Sequence, residues 1–169
     1  MGNVSSGSLF QYITESTLRV DDILSSPYPF EQQLVKILNK GIVIDALSAS
    51  DVLEHSDKVI KIEGMEKLCP VLFKACKDLA EVMEHDGPVT CHLFLSPVGG
   101  KSFPTHTDPD DVFLYMVSGM KHMAVNDNVK LLTAGDSLLI PRNTPHRAHN
   151  LNASKMLSFG LERFIVEKL

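Results

Sequence analysis

After Pro88 the chain changes period, and that change constrains the fold more than any other feature. From "VTCHLFLS" (Val89–Ser96) onward the sequence breaks into short runs: "DVFLYMVSG", "KHMAVND", "VKLLTAGD", "SLLIPRNTP", "HRAHNLN" and "KMLSFGLERF". They are short strand-like runs separated by Gly, Pro, Asn or Asp, the residues that close tight turns. Many short strands in succession without a helical interval predict an antiparallel barrel or jelly roll. The expected fold class is mainly β, a double-stranded β-helix (jelly-roll barrel), with an N-terminal helical α/β cover.

The segment before Pro88 has a different rhythm. "PFEQQLVKILNKG" opens on a proline, closes on Gly41 and sets Leu34, Ile37 and Leu38 on one stripe, which predicts a helix. "GIVIDAL" and "KVIKIE" read as strands, and "SASDVLEHS" as a short helix between them. From Met65 to His85 the apolar positions Met65, Leu68, Leu72, Cys76, Leu79 and Met83 recur at three and four, predicting one long amphipathic helix. The expected organisation is a flexible tail over 1–8, an α/β cover over 9–87 and the barrel over 88–169, together one structural domain, as 169 residues allow.

Composition narrows the function classes. Apolar residues make up 44% of the chain, and no low-complexity run interrupts it, as in a folded globular protein. A formal charge of −5 gives no overall basic field, so nonspecific nucleic-acid binding is not expected, although a local basic patch fits within such a total. Cys69, Cys76 and Cys91 have neither disulfide-framework nor zinc-ribbon spacing and read as small buried hydrophobes. No apolar run approaches the ~18 residues of a membrane span. The start "MGNVSSGS" fits a myristoylation pattern but lacks a polybasic second signal, and reads as a Gly/Ser-rich tail. A soluble, cytoplasmic protein without membrane attachment is the expectation.

The stretch "KSFPTHTDPDD" places His106 and Asp108 two residues apart. On extended backbone, residues i and i+2 point the same way, so an imidazole and a carboxylate can face one point. Alone the pair also fits an ordinary Asx turn before Pro109. A third candidate lies in "GDSLLIPRNTPHRAHN", where a strand, a proline and a tight connection deliver His146 to the next strand. Together the two histidines and the carboxylate make a candidate three-ligand metal site.

This second stretch resembles the second cupin motif through Gly135, Pro141, His146 and Asn150, with Asn143 where the motif has glycine. The first cupin motif is met in part by Gly100, His106 and Gly119, with His-x-Asp in place of His-x-His and no glutamate as fourth ligand. The run "HTDPDDVFLYMVSGMKHM" further resembles the His-x-Asp and lysine segment of the JmjC/cupin-type Fe(II)/2-oxoglutarate-dependent oxygenases, including ribosomal oxygenase-like and asparaginyl hydroxylase-like members. The resemblance covers roughly Cys91 to Phe164. It implies a dioxygenase, most readily a hydroxylase of a protein side chain or small molecule, with Fe(II) held by His106, Asp108 and His146. It also implies 2-oxoglutarate as cosubstrate, its distal carboxylate bound by Lys121 with help from His92. Phe94 stands where such enzymes often carry a tyrosine.

Several alternatives stay open. Another metal-dependent cupin enzyme (isomerase, decarboxylase or 2-oxoglutarate-independent dioxygenase) would use the same triad without Lys121, and a non-catalytic ligand-binding cupin would turn nothing over. His149 reads as an ordinary polar residue or a partner of His146. His122 should face away from Lys121. His55 and His85 look solvated, and His92 serves equally well as a core histidine. Asp110 and Asp111 either supply a fourth ligand or shape a turn. Partners expected are 2-oxoglutarate, O₂, an unidentified prime substrate and a second copy in a homodimer.

Overall fold

The computed structural model describes residues 9–101 and 103–166, so the N-terminal stretch 1–8 read as a tail lies outside the described residues. Six helical segments and ten strands follow in order. They are α1 (Glu15–Leu18), α2 (Val20–Ser25), α3 (Tyr28–Glu31), β1 (Val35–Asn39), β2 (Ile42–Asp45), α4 (Ala49–Glu54), β3 (Val59–Ile62), α5 (Met65–Leu68) and α6 (Pro70–Val82). Then come β4 (Val89–Ser96), β5 (Asp111–Ser118), β6 (Met120–Val125), β7 (Asn128–Thr133), β8 (Ser137–Ile140), β9 (His146–Asn150) and β10 (Ser154–Leu161). The strands form a seven-stranded sheet, ordered β2-β1-β3-β4-β10-β5-β8, facing a three-stranded sheet ordered β7-β6-β9. The named pairings are antiparallel, as the jelly-roll expectation requires.

The inner strands of the large sheet are covered on both faces, and their alternation sorts side chains between two cores, whereas the edge strand β2 is largely exposed. Along β5, Phe113 and Tyr115 point to the helices, where they meet Phe10, Leu72, Leu79, Leu157 and Phe159. Their neighbours Leu114 and Met116 point into the barrel, beside Met123, Val125, Leu132 and Met156. The same alternation on β4 sends Cys91 and Leu93 outward to the helix layer and His92 and Phe94 toward the barrel. The three free cysteines are buried.

Two expectations over the N-terminal segment are corrected. The stripe of Leu34, Ile37 and Leu38 is not helical: helix α3 stops at Glu31, and Val35–Asn39 is a strand with Val35, Ile37 and Leu38 buried. Pairing on both edges, with β2 and β3, satisfies its backbone, and tertiary pairing outweighs the weak helical preference of the run. The long helix from Met65 breaks at Cys69, which is extended at φ −132° and ψ 117° ahead of Pro70. A proline biases the preceding residue away from helical angles, and its ring sits comfortably at the first position of the new helix α6. Through β3 against β4, the N-terminal hairpin extends the barrel's own large sheet.

Candidate metal centre and its cavity

His106 lies in the connection between β4 and β5, and a two-residue bridge ties it to the first residue of β9. The His106 N–H donates to the His146 carbonyl at 3.1 Å, and the His146 N–H returns a bond at 2.9 Å. Two residues on, the Asp108 carbonyl accepts from the Asn143 N–H at 2.8 Å. Asn143 holds φ 60°, the left-handed geometry that the motif's glycine would take, and asparagine tolerates it better than most residues. The His-x-Asp segment is thereby held in register against the β8–β9 connection.

The side chains converge. His106, Asp108 and His146 each offer a ligand atom, and these atoms lie within 4.8 Å of one another. Asp108 Oδ2 is 3.1 Å from His146 Nε2, and its Oδ1 is 3.9 Å from His106 Nε2. Each imidazole is oriented from behind: His106 Nδ1–H donates to the Pro104 carbonyl at 2.8 Å and His146 Nδ1–H to the Thr144 carbonyl at 2.9 Å. That arrangement fixes the ring and turns Nε2 toward the centre, as carbonyl partners do for metal-bound histidines. The hydrogen bond from His146 holds the Asp108 carboxyl below the usual carboxylate range, against a smaller opposing effect of burial. Burial acts to lower His146, but its bonds to Asp108 and the Thr144 carbonyl outweigh this and raise it. A cation at this point would replace the proton shared by the pair.

Two imidazoles and one ionised carboxylate suit a divalent metal of the Fe(II), Mn(II) or Zn(II) kind. Among the described residues, no further His, Cys, Asp or Glu joins the cluster. Asp110 instead pairs with Arg163 at 3.0 Å, and Asp111 accepts from the Arg142 N–H at 2.8 Å, so neither stands as a fourth ligand. His146 is buried, whereas the side chains of His106 and Asp108 are 36% and 35% exposed, so the centre is reached from one side.

A cavity of about 250 Å³ runs inward from these three residues. Its walls are Val112, Leu114, Met123 and Met156, with polar groups set among them. Lys121 enters from β6, on the face it shares with Met123 and Val125, and is 1% exposed. Its ammonium is 5.7 Å from the centre of the Phe94 ring and forms no ion pair among the described residues. Burial pushes it down to about 8. His92, on the inner face of β4, has a buried Nδ1 without a hydrogen-bond partner. Burial, then the charge of Lys61, lowers it to about 4, so the ring is neutral.

Lys61 is the residue that sequence reasoning missed. Register pairs it with Phe94, which places it in the cavity wall, 3.1 Å from Glu63 and within 6 Å of the Phe94 and Phe103 ring centres (5.8 and 5.9 Å). Only the β3–β4 pairing reveals it. His149 is exposed, opposite His122 in the register between β9 and β6. Neither His55 nor His85 is a free solvated side chain: both are half-buried and bonded, His55 Nδ1 to the Asp51 carbonyl at 2.8 Å and His85 Nε2 to that of Glu162 at 2.7 Å.

Residues 92–159 match the family described as the cupin domain. The matched segment is similar to a cupin domain over less than half of the chain. It spans the inner strands, the three candidate ligands and Lys121, and leaves the helices and β1–β3 outside. No curated protein matches the chain. Among solved structures, a cupin superfamily protein from Desulfitobacterium hafniense is 22% identical over 43% of this chain and 65% of its own, with a TM-score of 0.41. KdgF from Halomonas sp. is 22% identical over 47% of this chain and 74% of its own, with a TM-score of 0.42. A variant of salicylate 1,2-dioxygenase from Pseudoaminobacter salicylatoxidans is 15% identical over 43% of this chain and 20% of its own, at 0.41. The aligned region thus spans less than two thirds of the first and third of these proteins. No helix among the described residues is long and apolar enough to cross a membrane.

Proposed function

We propose that the protein is an Fe(II)- and 2-oxoglutarate-dependent oxygenase, a hydroxylase whose iron is held by His106, Asp108 and His146. The observation that carries this reading is Lys121: a buried ammonium, without an ion pair among the described residues, in the same cavity as the triad. A buried charge is unfavourable unless matched, and a cavity that keeps one is suited to a ligand that brings the opposite charge. A 2-oxo dicarboxylic acid answers both ends of the cavity: its oxo-acid end suits a metal with open positions, and its distal carboxylate suits Lys121.

Iron bound by this ligand set supplies the activation of O₂ coupled to oxidative decarboxylation of the oxo acid. The remaining work falls to the chain. Pro104 and Thr144 hold the imidazoles in the orientation that presents Nε2. Asp108 contributes a carboxylate that is already ionised at neutral pH. His92 offers an unpartnered nitrogen to the cosubstrate, in the role that Phe94 cannot fill for want of a hydroxyl. Leu114, Met123 and Met156 exclude water from the space around the ligand.

Uncoupled turnover tests the reading without knowledge of the prime substrate. Aerobic protein supplied with Fe(II) and 2-oxoglutarate should release succinate slowly, and Lys121→Ala should raise the KM for the oxo acid far more than it lowers kcat. A metal-dependent cupin enzyme of another kind, the competing reading that the family match supports, would release no succinate and be indifferent to Lys121→Ala.

A further inference from the structure

A second concavity opens beside the metal cavity, and its chemistry differs sharply from the first. It is a groove of about 450 Å³ between β9 and the loop that leads to His106, and it shares Phe103 and Ala148 with the metal cavity as a common wall. Four basic side chains border it: Lys40 from the β1–β2 turn, Lys101 from the loop, and Arg147 and His149 from the outward face of β9. Among the described residues no carboxylate lines it, although the chain as a whole carries a net charge of −5. Lys40, Lys101 and Arg147 are exposed, and none forms an ion pair with a described residue, whereas Lys36, Lys61, Lys74, Lys155 and Arg163 all do.

These features come from three separate parts of the chain that the fold brings together. The β1–β2 turn reaches the groove because Gly41 packs against Pro104, where an added Cβ would lie 3.3 Å from Pro104 Cδ. At the far wall, the Asn150 side-chain amide donates to the Gly100 carbonyl and pins the loop to the end of β9. Gly99, at φ +71°, has no atom of the described residues within 4 Å of where a side chain would begin, so they leave the backbone there open to close approach. Unpaired cations beside an unobstructed glycine backbone are the elements from which oxyanion sites are assembled.

We infer that this groove is a phosphate subsite, and that the prime substrate is a small molecule whose phosphate or pyrophosphate group seats between Lys40, Lys101 and Arg147 while its reacting carbon enters the metal cavity past Phe103. The assignment of the reacting end rests on the oxygenase reading; the phosphate subsite itself does not. Lys40 belongs to the segment outside the matched cupin domain, so the N-terminal hairpin contributes directly to substrate choice.

The test uses inorganic pyrophosphate as the probe, titrated by calorimetry into full-length, metal-free protein at low ionic strength. Saturable binding is expected, weakened about tenfold or more in Lys101→Glu and again in Arg147→Glu, the scale of losing one charge-assisted hydrogen bond each. Both residues are exposed, so unchanged melting temperatures will separate lost binding from lost folding. His146→Ala should leave pyrophosphate binding intact, which keeps this result independent of iron and succinate. Absence of binding by the parent protein, or equal binding by both charge reversals, would overturn the subsite. A single-stranded oligonucleotide binding far more tightly per phosphate than pyrophosphate would overturn the small-molecule assignment.

Discussion

Replacing Lys121 by methionine should stabilise the metal-free protein while removing its hold on the oxo acid. The side chain is 1% exposed, and burial lowers its ammonium from 10.5 to about 8. Each pH unit of such a shift corresponds to about 1.4 kcal/mol, so keeping this charge inside the fold costs on the order of 3 kcal/mol at neutral pH. Methionine fills a similar volume without a charge. The sign of the pH dependence is fixed by the order of the two values. Between about 8 and 10.5 the unfolded lysine keeps its proton and the folded one loses it, so the parent protein gains stability as pH rises through that window. The advantage of Lys121→Met should therefore be complete below about 8 and gone above 10.5. In a chain of this size 1 kcal/mol moves Tm by about 2–4 °C, so the variant should melt roughly 6–12 °C higher near neutral pH. Guanidinium unfolding near neutral pH and again above 10.5 measures both limits. Other groups titrate alike in the two proteins and cancel in the difference. A less stable variant at neutral pH, or an advantage that does not shrink across the window, would refute the argument that Lys121 is an unmatched buried charge.

Three further outcomes follow from the geometry around the triad. Divalent-metal affinity, followed by competition with a fluorescent chelator, should fall on acidification and begin to do so above the ordinary histidine range, because His146 is raised and must lose its proton to bind. Asn143→Gly should be tolerated at its φ of 60°, whereas Asn143→Val should cost about 1–2 kcal/mol by denaturant unfolding. Gly41→Ala, at φ +85° and 3.3 Å from Pro104, should displace the carbonyl that orients His106 and weaken metal binding about tenfold, as a lost supporting contact does; unchanged affinity would disconnect the hairpin from the centre.

The parts of this molecule legible in its sequence are those written in local chemistry. The barrel strands announce themselves by turn residues at short intervals, and His106, Asp108 and His146 by spacings that extended backbone converts into a common direction. Lys121 was legible through its offset from His106 within a resemblance, and the register of β6 then puts it on the same face as Met123 and Val125. What failed was non-local. "LVKIL" satisfies a helical stripe and a strand equally well, and only the edges offered by β2 and β3 decide for the strand. Lys61 has no motif at all, since its place in the cavity depends on pairing with Phe94 across thirty-three positions of chain. The break before Pro70 is a different case, because the proline itself carried the signal and the apolar period ran through it.

The central claim is most directly tested by anaerobic titration of the metal-free protein with Fe(II) and then 2-oxoglutarate, followed by visible absorption. The account predicts a charge-transfer band from iron to the chelating oxo acid, absent in His146→Ala and requiring far more oxo acid in Lys121→Ala. Iron binding without that band would contradict it and leave a metal centre that does not use a 2-oxo acid.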